Sequence, residues 1–245
     1  MQETLRALVL RTVRYKDTRQ IVDLYTLTHG RMACVAPVSH SRKSQRSGTA
    51  GAAWRLLNIV EIEANIRPST NLPFVRSARI CQPWNTLTTD SVKGTISLFL
   101  AELLLNALRE QQAEPLLFQY IEESLRWLDT AEKGYANFHL VFMMRLMQFV
   151  GIRPDVSHGR EGYAFNLETG EYQPATSIGS ALLPPEEARL LPLLLRMNYA
   201  NMHCFRFSRA QRRRMLEVMN RYYSFQLPPF PALRSVDVLA EVFDA

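Results

Sequence analysis

The chain has 245 residues, 47% of them hydrophobic and 21% charged, with a net charge of +6 and three cysteines. That length and apolar content suffice for a buried core without staples, and Cys34, Cys81 and Cys204, odd in number and without a C-x-x-C pair, exclude a disulfide framework. The charge is uneven: residues 1–80 hold 13 Lys/Arg against 5 Asp/Glu, which leaves 16 against 18 for the remaining 165.

That basic third reads as β-structure. In 5–13 the apolar Leu5, Ala7, Val9 and Val13 alternate with Arg6, Leu8, Leu10, Thr12 and Arg14, the period of two expected of a strand, with Arg6 and Arg14 on its more polar face. The turn Lys16, Asp17, Thr18 leads to a second strand over 20–27, and Thr28, His29, Gly30 to a third over 31–38, with glycine supplying the positive φ of a tight hairpin. A fourth strand, 56–66, has Leu56, Val60, Ile62, Ala64 and Ile66 as its buried row and Glu61, Glu63 and Asn65 as its wet one, and 75–81 is a fifth. Five short strands joined mostly by hairpins predict a closed barrel of the oligonucleotide-binding (OB) type rather than a sheet with open edges. The segment 39–51 lacks any large apolar residue and is expected to be a mobile arm, whose cations Arg42, Lys43 and Arg46 suit phosphate contacts. Arg14, Lys16, Arg19 and Arg31 lie in or beside the first two turns and extend that basic set. Tyr15 and Tyr25 are either stacking platforms for bases or core residues.

The remainder reads as helical. Asp90 caps a helix to about 111 with Ile96, Phe99, Leu100, Leu103, Leu104 and Leu108 at helical spacing, and Pro115 opens a second through Trp127 and Leu128. A third, 135–150, carries a stripe of Phe138, Val141, Phe142, Leu146 and Phe149, together with Met143, Met144 and Met147, which are core packing or a groove for a partner peptide. Residues 151–183 are irregular, with a hairpin pairing 163–165 with 171–173. Pro185 opens a helix to about 197, and Ser208 caps one through Tyr223 whose polar side presents Arg209, Arg212 and Arg213. Ser235 caps a last short helix. The fold class is thus α+β, with an OB-type barrel over 1–80 whose basicity makes nucleic acid its first candidate ligand, and an α-helical domain over 81–245.

Catalytic signatures are absent from the sequence: no phosphate-binding G-x-x-x-x-G-K-[ST], no H-E-x-x-H, no G-x-S-x-G, and five histidines (His29, His40, His139, His158, His203) without metal-ligand spacing. No enzyme activity, cofactor or metal is expected. With no basic and apolar leader and no long apolar run, the chain is expected to be cytoplasmic and away from membranes.

The run LRALVLRTVRYKDTRQIVDLYTLTHGRMACVAPV with a basic arm after it resembles the opening of the bacterial recombination mediator RecO family. SLFLAELLLNALRE, NFHLVFMMRLMQFVGIRPD, FNLETGEY and RRRMLEVMNRYYSFQLPPFPALRSVDVLAEVF are similar in kind and order to that family's helical segments. The resemblance implies binding of single- and double-stranded DNA, annealing of complementary strands, and work with RecR to load RecA on strands coated by single-stranded-DNA-binding protein. It also implies a helical-domain site for that protein's acidic, apolar tail, for which Arg126 and Arg145 are the candidate cations. Many members hold zinc through four cysteines after the third helix; 154–172 here has none, so the resemblance is to the zinc-free branch, with Tyr163, Phe165 and Leu167 packing in the metal's place. An adaptor using the barrel to bind an acidic partner, or an enzyme on an unrecognised site, are the competing readings.

Overall fold

A computed structural model describes residues 2–38, 51–66, 72–108, 112–175, 179 and 181–244. They form two compact units, 1–130 and 131–245.

The first unit is built on a five-stranded antiparallel sheet of β1 (Gln2–Lys16), β2 (Arg19–Thr26), β3 (Gly30–Pro37), β4 (Ile59–Asn65) and β5 (Val75–Gln82), in the order β3-β2-β1-β4-β5. Gly30, at φ 67, makes the second hairpin turn possible. The edges β3 and β5 touch through one parallel bridge, Val35 to Phe74, where the Val35 amide donates to the Pro73 carbonyl at 2.9 Å. The sheet therefore curls in the connectivity of an OB barrel but meets at a point rather than along a full ladder. Its interior is the inward row of every strand: Leu5, Ala7, Val9, Val22, Leu24, Cys34, Ala36, Val60, Ile62, Ala64 and Val75, closed below by Ala53 and Trp54 of a short 3-10 turn.

The outer face is divided. Leu8 and Leu10, which alternate with the barrel row, are nevertheless buried, because α1 (Ser91–Ala107) packs on β1. Tyr25 is buried against Phe118 of α2 (Pro115–Thr130), ring centroids 6.3 Å apart. Both helices thus belong with the barrel, and the compact units part at Thr130, although charge and periodicity change near residue 80. Asp90 caps α1 through its side chain, accepting from the Lys93 amide at 3.0 Å. Asp129, at the end of α2, accepts from the backbone amides of Asn85, Thr86 and Leu87 at 2.7 to 3.1 Å and so clamps the β5–α1 connection. Burial works to raise that carboxyl's pKa, but the amide donors outweigh it and the net shift is downward.

The fourth strand begins at Ile59 rather than 56. Leu57 sits in the left-handed region at φ 60 with its side chain buried, so the chain turns there and Leu56 is thrown outward, 40% exposed. Ile66 is half-buried beside the core rather than inside it.

In the second unit α3 (Phe138–Phe149) is buried on nearly every side, and Met143, Met144 and Met147 are 0%, 4% and 1% exposed. They are core, not a groove. The hairpin β6 (Tyr163–Asn166) and β7 (Glu171–Pro174) is joined by β8 (Leu182–Leu183) in the order β7-β6-β8. Phe165 and Leu167 are fully buried and Tyr163 half-buried. Phe165 sets its ring edge-on to Tyr172 at 5.2 Å, and Tyr172 donates to the Ala188 carbonyl at 2.6 Å. The single helix expected after Pro185 is two pieces, α4 (Pro185–Ala188) and α5 (Leu191–Arg196). Pro192 has no amide to continue the first, and its ring would meet the carbonyl four residues back. Ser208 and Gln211 form a capping box on α6 (Arg209–Gln226), and α7 (Ser235–Asp244) closes the chain. Among the described residues no helix is long and apolar enough to cross a membrane.

Candidate nucleic-acid interface

Because α1 and α2 cover only part of the outer sheet face, the β1–β2 hairpin end is bare. The register sets Val13 opposite Ile21 and Ile21 opposite Val35, an outward row that continues to Phe74 through the Val35 bridge. Val13 is 47% exposed, Tyr15 53% and Phe74 42%. Lys16 and Arg19 stand beside this apolar strip, and Arg14, opposite Gln20 in the alternate row, stands on the other face of the hairpin end; all three are exposed. A register shift between Arg14 and Lys16 bulges β1 and twists its end, and the Val38 amide donates to the Thr18 carbonyl at 2.9 Å, which fixes the turn against the end of β3.

The cations here are lightly committed. Arg19 lies over the Phe74 ring at 5.7 Å and Lys16 over Tyr15 at 5.4 Å, while Arg14 reaches Asp17 only at 3.9 Å across a solvent-exposed pair. Such contacts hold a guanidinium or ammonium beside an aromatic face without neutralising it. Aromatic faces with uncommitted cations form the constellation that stacks bases and tracks a phosphate backbone.

Arg31 is placed differently. Only 16% of its side chain is exposed; it pairs with Asp23 at 3.3 Å and donates to the Leu105 carbonyl at 2.6 Å, near the C-terminal end of α1. There it satisfies an orphan helix carbonyl and complements the helix dipole, so it ties α1 to β3 rather than facing a ligand. Tyr25 is core, and burial pushes its phenol up to about 12. Arg42, Lys43 and Arg46 lie outside the described residues.

Arg209, Arg212 and Arg213 fall at i, i+3, i+4 spacing on one side of the start of α6. Arg209 and Arg213 are exposed, Arg213 pairing with Glu217 at 3.2 Å, whereas Arg212 is half-buried and donates to the Phe207 carbonyl at 2.7 Å. It stands beside His139, which is fully buried; burial first and the Arg212 charge second push that imidazole down to about 3. The two residues considered for a partner tail are separated: Arg126 is on α2, paired with Glu122 at 2.9 Å and with the Gln82 side chain at 3.0 Å, and Arg145 is on α3 in the other unit, donating to Gln148 at 3.0 Å. Phe74 and Arg11 were not legible in advance. Phe74 precedes its strand and faces outward only because β5 crosses to β3, and Arg11 is exposed because a bulge follows Val9. Among the described residues no three His, Cys, Asp or Glu cluster at metal-binding range.

The two halves of the chain match two family descriptions, "Recombination protein O N terminal" over residues 1–84 and "Recombination protein O C terminal" over 88–235. The chain is 42% identical over 243 residues to the DNA repair protein RecO of Phocaeicola vulgatus, covering 99% of each. It is 38% identical over 245 residues to that of Bacteroides fragilis, covering all of both, and 28% over 243 to that of Flavobacterium psychrophilum.

Proposed function

This chain belongs to the RecO family of DNA repair proteins, and from that premise we propose that it is a recombination mediator that binds single- and double-stranded DNA, anneals complementary strands and helps load RecA. The bare hairpin end of the barrel carries this reading: Lys16 and Arg19 stand beside Tyr15 and Phe74, and Arg14 on the other face of the same end, with their charge largely unspent. Such a surface needs no bond-making chemistry. Screening two phosphate backbones lets strands approach, and base pairing supplies the free energy. The arm cations Arg42, Lys43 and Arg46 would extend the same contact, and Arg209, Arg213 and the half-buried Arg212 would offer a second on the helical unit. RecR and the acidic tail of single-stranded-DNA-binding protein are the proposed protein partners. The tail is assigned to the helical domain, with Arg145, exposed on α3, as its cation. The setting is the cytoplasm, at the nucleoid.

The test is the triple variant Arg14→Ala, Lys16→Ala, Arg19→Ala. Each phosphate contact to a single strand contributes about 0.7 to the slope of log affinity against log salt, so the slope should flatten by about 2 whatever the base sequence. The melting temperature should hold, since none of the three is buried. An unaltered slope would sink the assignment.

A further inference from the structure

Beside the bare face lies a groove of about 820 Å³ in the first unit, bounded by β1, the 3-10 turn at Ala52–Trp54 and the N-terminal half of α1. Its walls include Arg11, Arg55, Leu56 and Leu98, with Trp54 and Gly94 among its other lining residues, and no carboxylate lines it among the described residues. We propose that the single-strand path does not end at the hairpin but crosses Val13 and Arg11 into this groove, so that one barrel engages a longer strand than its hairpin end alone can hold. The proposal rests on the reading of the bare face as the DNA site.

Three observations carry it. The groove is continuous with that face: Arg11 and Val13 point outward from the same stretch of β1, and Val13 belongs to the apolar row described above. Its charge is complementary to a phosphate backbone. Arg55 is exposed and makes no side-chain hydrogen bond or ion pair among the described residues. Arg11 shares one carboxylate with Arg31, Asp23 lying 2.7 Å from the first and 3.3 Å from the second, which leaves that cluster with one net positive charge. Finally, the walls expose apolar surface that nothing in the unit covers, Leu56 at 40% and Leu98 at 44%. Leu56 is there because Leu57 takes its left-handed conformation. Gly94 adds to the same picture. Glycine weakens a helix, yet a Cβ at this position would meet only the Leu87 carbonyl oxygen at 3.7 Å, an ordinary contact. Packing does not require the glycine, whereas close approach of a backbone to the groove floor does benefit from it. An extended strand offers what these walls complement, phosphates for the two arginines and apolar base faces for the two leucines.

The test compares oligothymidylates of about 4 and about 16 nucleotides, the range that single OB folds span. The proteins are the wild-type full chain, Arg55→Ala, Leu98→Glu and Gly94→Leu, with melting temperatures recorded for each. All three variants should bind the short strand as the wild type does and the long strand more weakly, with Arg55→Ala lowering the long-strand salt slope by about 0.7. Wild-type affinity and slope on the long strand in all three would overturn the proposal, as would an equal loss at both lengths. Were the groove instead a seat for an acidic, leucine-bearing peptide, the variants would lose such a peptide and keep both DNA affinities, which also overturns it. The hairpin triple variant separates the two readings: retained short-strand binding there refutes the primary site, while the length dependence in the groove variants is judged on its own.

Discussion

At the scale of single residues, charge follows what each side chain touches. Arg14 and Arg31 look alike in sequence, yet one is bare and the other is fixed between Asp23 and the end of α1. Asp129 shows the converse, a carboxylate with no signature that organises three consecutive amides. Asp129→Ala leaves the buried Leu87 amide and the part-buried Thr86 amide unmatched and should lower unfolding stability by about 1 to 3 kcal/mol in a urea titration. His139 makes stability depend on pH. Its folded pKa is about 3, against an unfolded value of about 6.5, so between those values only the unfolded chain takes up the proton. Stability should therefore be lost on acidification below about pH 6.5, at up to about 1.4 kcal/mol per pH unit. Replacing the imidazole by His139→Leu should flatten that acid limb of the melting curve, and a limb of unchanged steepness would show that other groups produce it.

At the scale of elements, the β1–β2 hairpin and the segment 39–51 make separate claims on DNA. The arm is a sequence-based expectation: with Arg42, Lys43 and Arg46 replaced by Ala, the salt slope should fall by about 2, equally for any base sequence and without a stability change. Measured beside the hairpin triple variant, it tells which element holds the backbone. A slope that moves in one set and not in the other assigns the contact to that element alone. Most elements followed from local pattern. Alternation and turn signals placed all five strands within about three residues of their bounds, and Asp90, Pro115 and Ser208 opened their helices where capping chemistry puts them. The misses have local causes of their own: Leu57 at positive φ displaced the start of β4, and Pro192 cut one expected helix into α4 and α5.

At the scale of the whole molecule, the second unit holds 154–172 without cysteine. Phe165 and Leu167 are fully buried there, and Gln226 donates to the Leu167 and Glu168 carbonyls at 3.0 and 2.8 Å. Apolar packing and backbone capture hold this segment. Elemental analysis should find no stoichiometric zinc, and a chelator should leave the melting temperature unchanged, whereas Phe165→Ala should cost about 3 to 5 kcal/mol. One zinc per chain would overturn this account.

The sequence by itself determined the class, a basic β-barrel followed by helices, and the family, because strand period, caps and charge asymmetry are local or cumulative properties of the chain. It also placed Arg14, Lys16 and Arg19 correctly at an exposed turn. Only the tertiary structure decided which parts of the barrel surface stay open. Leu8, Leu10 and Tyr25 alternate out of the core and are buried all the same, since α1 and α2 return over β1 and β2 from far along the chain. Arg31 is consumed by that return, while Val13, Tyr15 and Phe74 escape it. A long-range packing choice leaves no periodic trace in the residues it covers, so the boundary between scaffold and binding face had to come from the fold.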